Sequence, residues 1–95
     1  MGADGSLWEM TEVTMYTSTA CGYCTRAKKL LDKKGVDYDE IRLSLFDPDA
    51  RMRLVELTGR YTVPQIIIGE QPIGGYDQLK ALDDAGQLDE LIGVG

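Results

Sequence analysis

The chain's two cysteines, Cys21 and Cys24, stand three positions apart in the stretch "TSTACGYCTRAKKL", residues 17–30. A pair at this spacing can be a structural staple, part of a metal site, or a redox couple. A disulfide across two intervening residues closes a very short loop, so it removes little entropy from the unfolded chain. A structural zinc site takes about four ligands, cysteine and histidine above all, and this chain offers two cysteines and no histidine. The missing histidine also excludes Cys–His nucleophiles and Ser–His triads. Gly22 and Tyr23 between the cysteines read as a loop rather than the packed face that two inert core thiols would occupy. Redox chemistry remains. It needs one thiol that ionises readily, and Cys21 falls at the start of a helical pattern, where free N–H groups and the helix dipole favour an anion. Arg26, Lys28 and Lys29 add positive potential nearby. Such surroundings bring a cysteine pKa from about 8.5 down to roughly 3.5–7.5. Cys24, one turn further in, is suited to attacking a mixed disulfide formed on Cys21.

The elements that must hold this pair follow from periodicity. "VTMYT" (13–17) alternates and is β-rich, which predicts a strand just before the cysteines. Cys24, Ala27, Leu30 and Leu31 recur at helical spacing, and Gly35 stops that helix. "VDYDEIRL" (36–43) reads as a second strand. Asp47 and Pro48 form an N-cap and first-turn signal for a helix whose face is Ala50, Leu54 and Leu57 and which Gly59 closes. "PQIIIG" (64–69) is a short apolar run typical of a buried strand, and "EQ" turns it into "PIGG", an edge partner. "YDQLKALDDAG" (76–86) carries Leu79 and Leu82 on a third helix, and "QLDELI" adds a last helical turn or two. The order βαβαββα predicts an α/β fold with a four-stranded mixed sheet and flanking helices. A Cys-x-x-Cys directly after a strand in a βαβ pattern is the placement of a thioredoxin-like redox site. Residues 1–10 read as a flexible N-terminal tail and 11–95 as one domain.

Two further stretches bear on the ligand. In "TVPQIII" Pro64 opens a strand, where it can donate nothing to a ladder. It is a candidate cis bond that leaves the Val63 backbone free to pair with an extended peptide; read alone, it is also an ordinary strand-start proline. In "IGGYDQL" two glycines allow close approach, and the N–H groups of Tyr76 and Asp77 open a helix that accepts an anion. Asp77 beside them can hold an ammonium, so the α-amino acid end of a ligand fits; read alone, this is also a glycine-rich turn with a plain first-turn charge.

Composition bounds the rest. Apolar residues make up 43% and charged ones 27% of the chain, an ordinary globular mixture. The net charge of −6 repels a phosphate backbone, so no nucleic-acid partner is expected. No apolar run approaches the roughly 18 residues of a membrane span, and "MGADGSLWEM" lacks the pattern of a secretory leader. A cytoplasmic location is the expectation, and thiols stay reduced there.

In order and spacing, "YTSTACGYCTRAKKLLDKKGVDYDE", "GRYTVPQIIIGEQPIGGYDQL" and "ALDDAGQLDELI" resemble a glutaredoxin over about residues 12–92. The combination of Cys-x-x-Cys, Thr-Val-Pro and Gly-Gly-x-Asp is specific, since thioredoxins share the first two but not the last. The resemblance implies a thioredoxin fold and a glutathione-dependent thiol–disulfide oxidoreductase acting on protein–glutathione mixed disulfides and protein disulfides. It implies that Cys21 is the nucleophile and Cys24 the resolving thiol. It also implies that Tyr23 lines a glutathione groove, that Thr62 and Val63 before a cis Pro64 pair with the cysteinyl part, and that Gly75, Tyr76 and Asp77 bind the γ-glutamyl end. Arg51 matches a family position near the glycyl carboxylate. The chain departs from the family pattern at Gly22, where proline is usual, and at Ser18, where many members carry lysine. A monomer is expected. The alternative is a carrier in which Cys21 of two chains and two glutathione thiols bridge a [2Fe–2S] cluster, a role found in relatives that lack the active-site proline. A redoxin serving another small thiol or a thioredoxin-type reductase is a third reading, against which Gly74-Gly75-Tyr76-Asp77 argues.

Overall fold

The computed structural model describes residues 12–19 and 21–92. The tail expected over residues 1–10 lies outside them. Strand β1 (Val13–Thr17) buries Val13, Met15 and Thr17 in strict alternation. Helix α1 (Gly22–Lys33) starts at Cys21, which has extended backbone and whose sulfur accepts the Cys24 N–H. Its inward row is Cys24, Ala27 and Leu31, the helical spacing visible in the sequence. The helix ends in a double closure: the Gly35 N–H reaches the Asp32 carbonyl and the Val36 N–H reaches the Leu31 carbonyl, each at 3.0 Å. Val36 is therefore spent on the helix end. That is why β2 covers only Asp39–Arg42 and not the expected 36–43.

Helix α2 (Pro48–Thr58) opens as expected, with Asp47 Oδ1 accepting the Asp49 N–H at 3.0 Å and Pro48 in the first turn. Its inward row is a correction. Leu54 is fully buried and Ala50 half-buried, but Leu57 is exposed, because the helix rests on the fold only through the row centred on Leu54. Strands β3 (Gln65–Ile68) and β4 (Gln71–Gly74) form an antiparallel hairpin. Helices α3 (Tyr76–Asp84) and α4 (Leu88–Ile92) complete the described chain.

The sheet order is β2-β1-β3-β4, with β1 and β2 parallel and the other pairs antiparallel. This is the expected four-stranded mixed sheet. The core joins Val13, Met15, Ile66 and Ile68 of the sheet to Ala27, Leu31, Leu79, Leu88 and Ile92 of α1, α3 and α4. Each large side chain buried there contributes about 1.5–3 kcal/mol of transfer free energy. Among the described residues no helix is long and apolar enough to cross a membrane.

Candidate functional site

β1 delivers the chain to Cys21 and α1 carries it away, so both cysteines are fixed by elements packed into the core, β1 through Val13 and Met15 and α1 through Ala27 and Leu31. Cys24 is buried and Cys21 half-buried. Their sulfurs are joined in a disulfide with the Cα atoms 5.2 Å apart. The Cys24 N–H donates to Cys21 Sγ at 3.1 Å. That donor and the positive helix end both favour negative charge on Cys21 once the disulfide opens.

The surrounding cations differ from the sequence expectation. Lys28 is tied to Glu40 of β2 at 2.7 Å, so its charge is spent there. Thr17, buried at the end of β1, donates its hydroxyl to the same carboxylate oxygen at 2.7 Å. The Lys28 and Thr17 hydrogen bonds hold the Glu40 carboxyl below the usual carboxylate range. Arg26 instead lies over the Tyr23 ring, 5.3 Å from its centroid. The Ser18 hydroxyl lies 3.4 Å from the Thr19 carbonyl.

Facing the cysteines is the turn before β3. The Val63–Pro64 bond is cis, as expected, and the Val63 carbonyl oxygen lies 3.8 Å from Cys21 Sγ. Gln65, 1% exposed, anchors this turn from beneath. Its Nε2 donates to Thr62 Oγ1 at 3.2 Å. Sequence reasoning missed Gln65, and only its polarity inside an apolar strand could have flagged it.

The two glycines have separate tasks. Gly74 has φ +119, and a Cβ there would stand 2.9 Å from Gln78 Cγ. At Gly75 the constraint is approach: a Cβ would stand 3.2 Å from the Pro64 carbonyl oxygen. Close contact between the β4–α3 turn and the cis-proline turn is what the pair of glycines permits. The Gly75 N–H is already used, donating to Gln78 Oε1 at 2.9 Å. The first N–H groups of α3, on Tyr76 and Asp77, have no partner within the helix.

These pieces enclose a groove of about 190 Å³ lined by Tyr23, Arg60, Thr62, Val63, Pro64, Gly75, Tyr76, Asp77 and Gln78. The Tyr23 and Tyr76 rings, 6.3 Å apart, flank it, and Cys21 abuts it through Val63. Of the residues that the resemblance assigns to glutathione, all but Arg51 line this groove. Arg51 lines a neighbouring cavity with Pro48, Met52, Val55 and Tyr61, its guanidinium 5.6 Å from the Tyr61 ring centroid. Arg60 and Gln78 are the lining residues that sequence reasoning missed.

A Cys-x-x-Cys at a helix start, opposed by a cis-proline turn on a four-stranded mixed sheet, defines a redox site of the thioredoxin fold. The sequence profile of the glutaredoxin family matches residues 13–73. A glutaredoxin of Pseudomonas aeruginosa is 49% identical over 83 residues, which is 87% of this chain and 98% of that protein. The solution structure of a glutaredoxin from Brucella melitensis superposes with a TM-score of 0.78 at 45% identity, covering 92% of this chain and 94% of that one. A buckwheat glutaredoxin, solved as a complex with glutathione, gives 0.75 at 33% identity over 92% of this chain and 81% of its own. The chain belongs to the glutaredoxin family and, with it, to the thiol–disulfide oxidoreductases.

Proposed function

We propose that the chain is a glutathione-dependent oxidoreductase that removes glutathione from protein mixed disulfides and reduces protein disulfides. The observation that carries this reading is the groove beside Cys21, with a carboxylate at Asp77, a guanidinium at Arg60 and open backbone at a helix start. Glutathione has a matching set of groups: an α-amino acid end, a peptide middle and a second carboxylate. Its relative from buckwheat was solved with that ligand. In this reading Gly75, Tyr76 and Asp77 take the γ-glutamyl end, with the free N–H groups of α3 on its carboxylate and Asp77 on its ammonium. Thr62 and Val63 pair with the cysteinyl part beside Pro64, and Tyr23 covers it. The glycyl carboxylate falls to Arg60, which lines the groove, rather than to Arg51.

The Cys21 thiolate attacks the glutathione sulfur of a protein–glutathione disulfide. The old S–S bond breaks as Cys21–glutathione forms, and the protein thiolate leaves and takes up a proton. A second glutathione thiolate then attacks that glutathione sulfur, giving glutathione disulfide and the Cys21 thiolate. For a protein disulfide, the Cys21 thiolate first attacks one sulfur and the other leaves as a thiolate; Cys24 then attacks Cys21 sulfur, releases the bound thiol and closes the Cys21–Cys24 bond, which two glutathiones reopen as they become glutathione disulfide. The cycle suits the cytoplasm, where glutathione is kept reduced. Turnover of a small glutathione mixed disulfide, coupled to glutathione reductase, tests it. Cys21→Ser abolishes activity, whereas Cys24→Ser keeps deglutathionylation and loses the dithiol reaction. An active Cys21→Ser variant refutes the mechanism.

A second reading rests on Gly22. Beyond its chain neighbours and its own helix backbone, nothing lies within 4 Å of where its Cβ would stand, so the turn leaves Cys21 free to face outward while Cys24 is buried. Cys21 of two chains with two glutathione thiolates would hold a [2Fe–2S] cluster, which takes about four thiolates. Anaerobic reconstitution with glutathione then gives a brown dimer, lost in Cys21→Ser; a colourless monomer rules it out.

A further inference from the structure

Strand β3 is three isoleucines headed by a glutamine, and an inner strand of a sheet has no need of that amide. Gln65 is 1% exposed, and among the described residues its Oε1 is a buried side-chain acceptor with no hydrogen-bond partner. Such an atom costs folding free energy that an apolar side chain of the same length does not. An exception of this kind points to a role other than stability. The other end of the amide shows which. Gln65 Nε2 donates to Thr62 Oγ1 at 3.2 Å, and Thr62 is exposed and lines the redox groove. A hydroxyl carries one proton and two lone pairs. With a lone pair facing Nε2, the Thr62 proton is turned away from Gln65, and no protein acceptor among the described residues takes it. The proton is left to the groove. A reversed amide would take that proton on Oε1 and leave Nε2 unpaired, so the two orientations give the groove opposite polarity. Gln65 itself is held by its backbone, which pairs with Tyr16 of β1, so the amide is presented from a rigid strand to a residue of the turn.

We propose that Gln65 is a positioning residue: its buried amide makes the Thr62 hydroxyl a fixed donor to an acceptor oxygen of the bound peptide. The inference rests on the glutathione reading above and adds to it a residue that lies outside the groove lining.

Gln65→Met keeps the length of the side chain and removes the amide. With a small glutathione mixed disulfide its KM is expected to rise roughly fivefold at unchanged kcat, the scale of one neutral hydrogen bond lost from ground and transition state alike. Thr62→Val is expected to show the same rise and the double variant no further rise, because both changes remove one donor. Gln65→Met should melt at or above the wild-type Tm, since the unpaired Oε1 is gone. Additive effects, a fall in KM, or a loss confined to kcat overturns the proposal. A Tm well below wild type makes Gln65 a packing residue and overturns it as well. Calorimetry with S-methylglutathione, an unreactive probe, separates these failures from failure of the reading beneath. Wild-type protein that binds the probe without turning over the disulfide refutes the oxidoreductase reading. In that case a Kd about fivefold weaker in Gln65→Met upholds the positioning role, and an unchanged Kd overturns it. Wild-type protein that binds no S-methylglutathione overturns both.

Discussion

Arg60 and Arg51 are nine positions apart in sequence and belong to different cavities. The family resemblance singled out Arg51, but a helix and the loop after it present their side chains in directions that a matched position does not encode. The assignment to Arg60 is open to a ligand-truncation test. Arg60→Gln should lower kcat/KM for glutathione mixed disulfides by roughly threefold, the scale of an exposed ion pair. It should leave the γ-glutamylcysteine analogue, which lacks the glycyl carboxylate, unaffected, and Arg51→Gln should discriminate little between the two. An equal loss on both ligands would remove Arg60 from the glycyl end.

Helix α1 is the element on which the chemistry depends, and two substitutions probe how it is held. Gly22 occupies its first position without a positive φ, and beyond its chain neighbours and its own helix backbone nothing lies within 4 Å of the missing Cβ. Gly22→Ala should stabilise the protein by about 0.4–1 kcal/mol, chiefly by restricting the unfolded chain, read as a rise in Tm. The second is Glu40, which ties the end of β1 and the middle of α1 to β2 through Thr17 and Lys28. A carboxyl held below its ordinary range contributes stability above that range, and loses it as pH falls through the lowered folded value. Glu40→Gln should therefore cost more stability at pH 7 than at pH 3, flattening the acid limb of a Tm-versus-pH curve. A parallel downward shift at both pH values would show that the loss is packing rather than charge.

For the whole molecule, one core couples the site's two halves. Leu79 of α3 is fully buried with Leu31 of α1 and Ile66 of β3, so the helix that opens the groove and the helix that carries the cysteines share contacts. Lys34 reinforces this from outside, pairing with both Asp83 and Asp89 at 2.9 Å, and the hydrogen bonds it donates to those carboxylates raise its pKa. Leu79→Ala should cost about 2–5 kcal/mol by leaving a cavity. Denaturant unfolding would show it as a lower midpoint at unchanged slope.

Local rules made most of this protein legible from its residues. The alternation of Val13–Thr17, the row Cys24–Ala27–Leu31 and the Asp47–Pro48 cap each depend on near neighbours, so strand, helix and helix start could be read in order. The Cys21–Cys24 pair, Pro64 and Gly74–Gly75 were legible for the same reason: each residue type is required by its own backbone or its own chemistry. Tertiary structure decided what depends on distant partners. Lys28 turned to Glu40, Val36 closed a helix instead of extending a strand, and Leu57 was left in solvent because α2 rests on the row centred on Leu54. It also placed Arg60 in the groove. A side chain's partner across the fold is set by packing of whole elements, and sequence spacing carries no information about that.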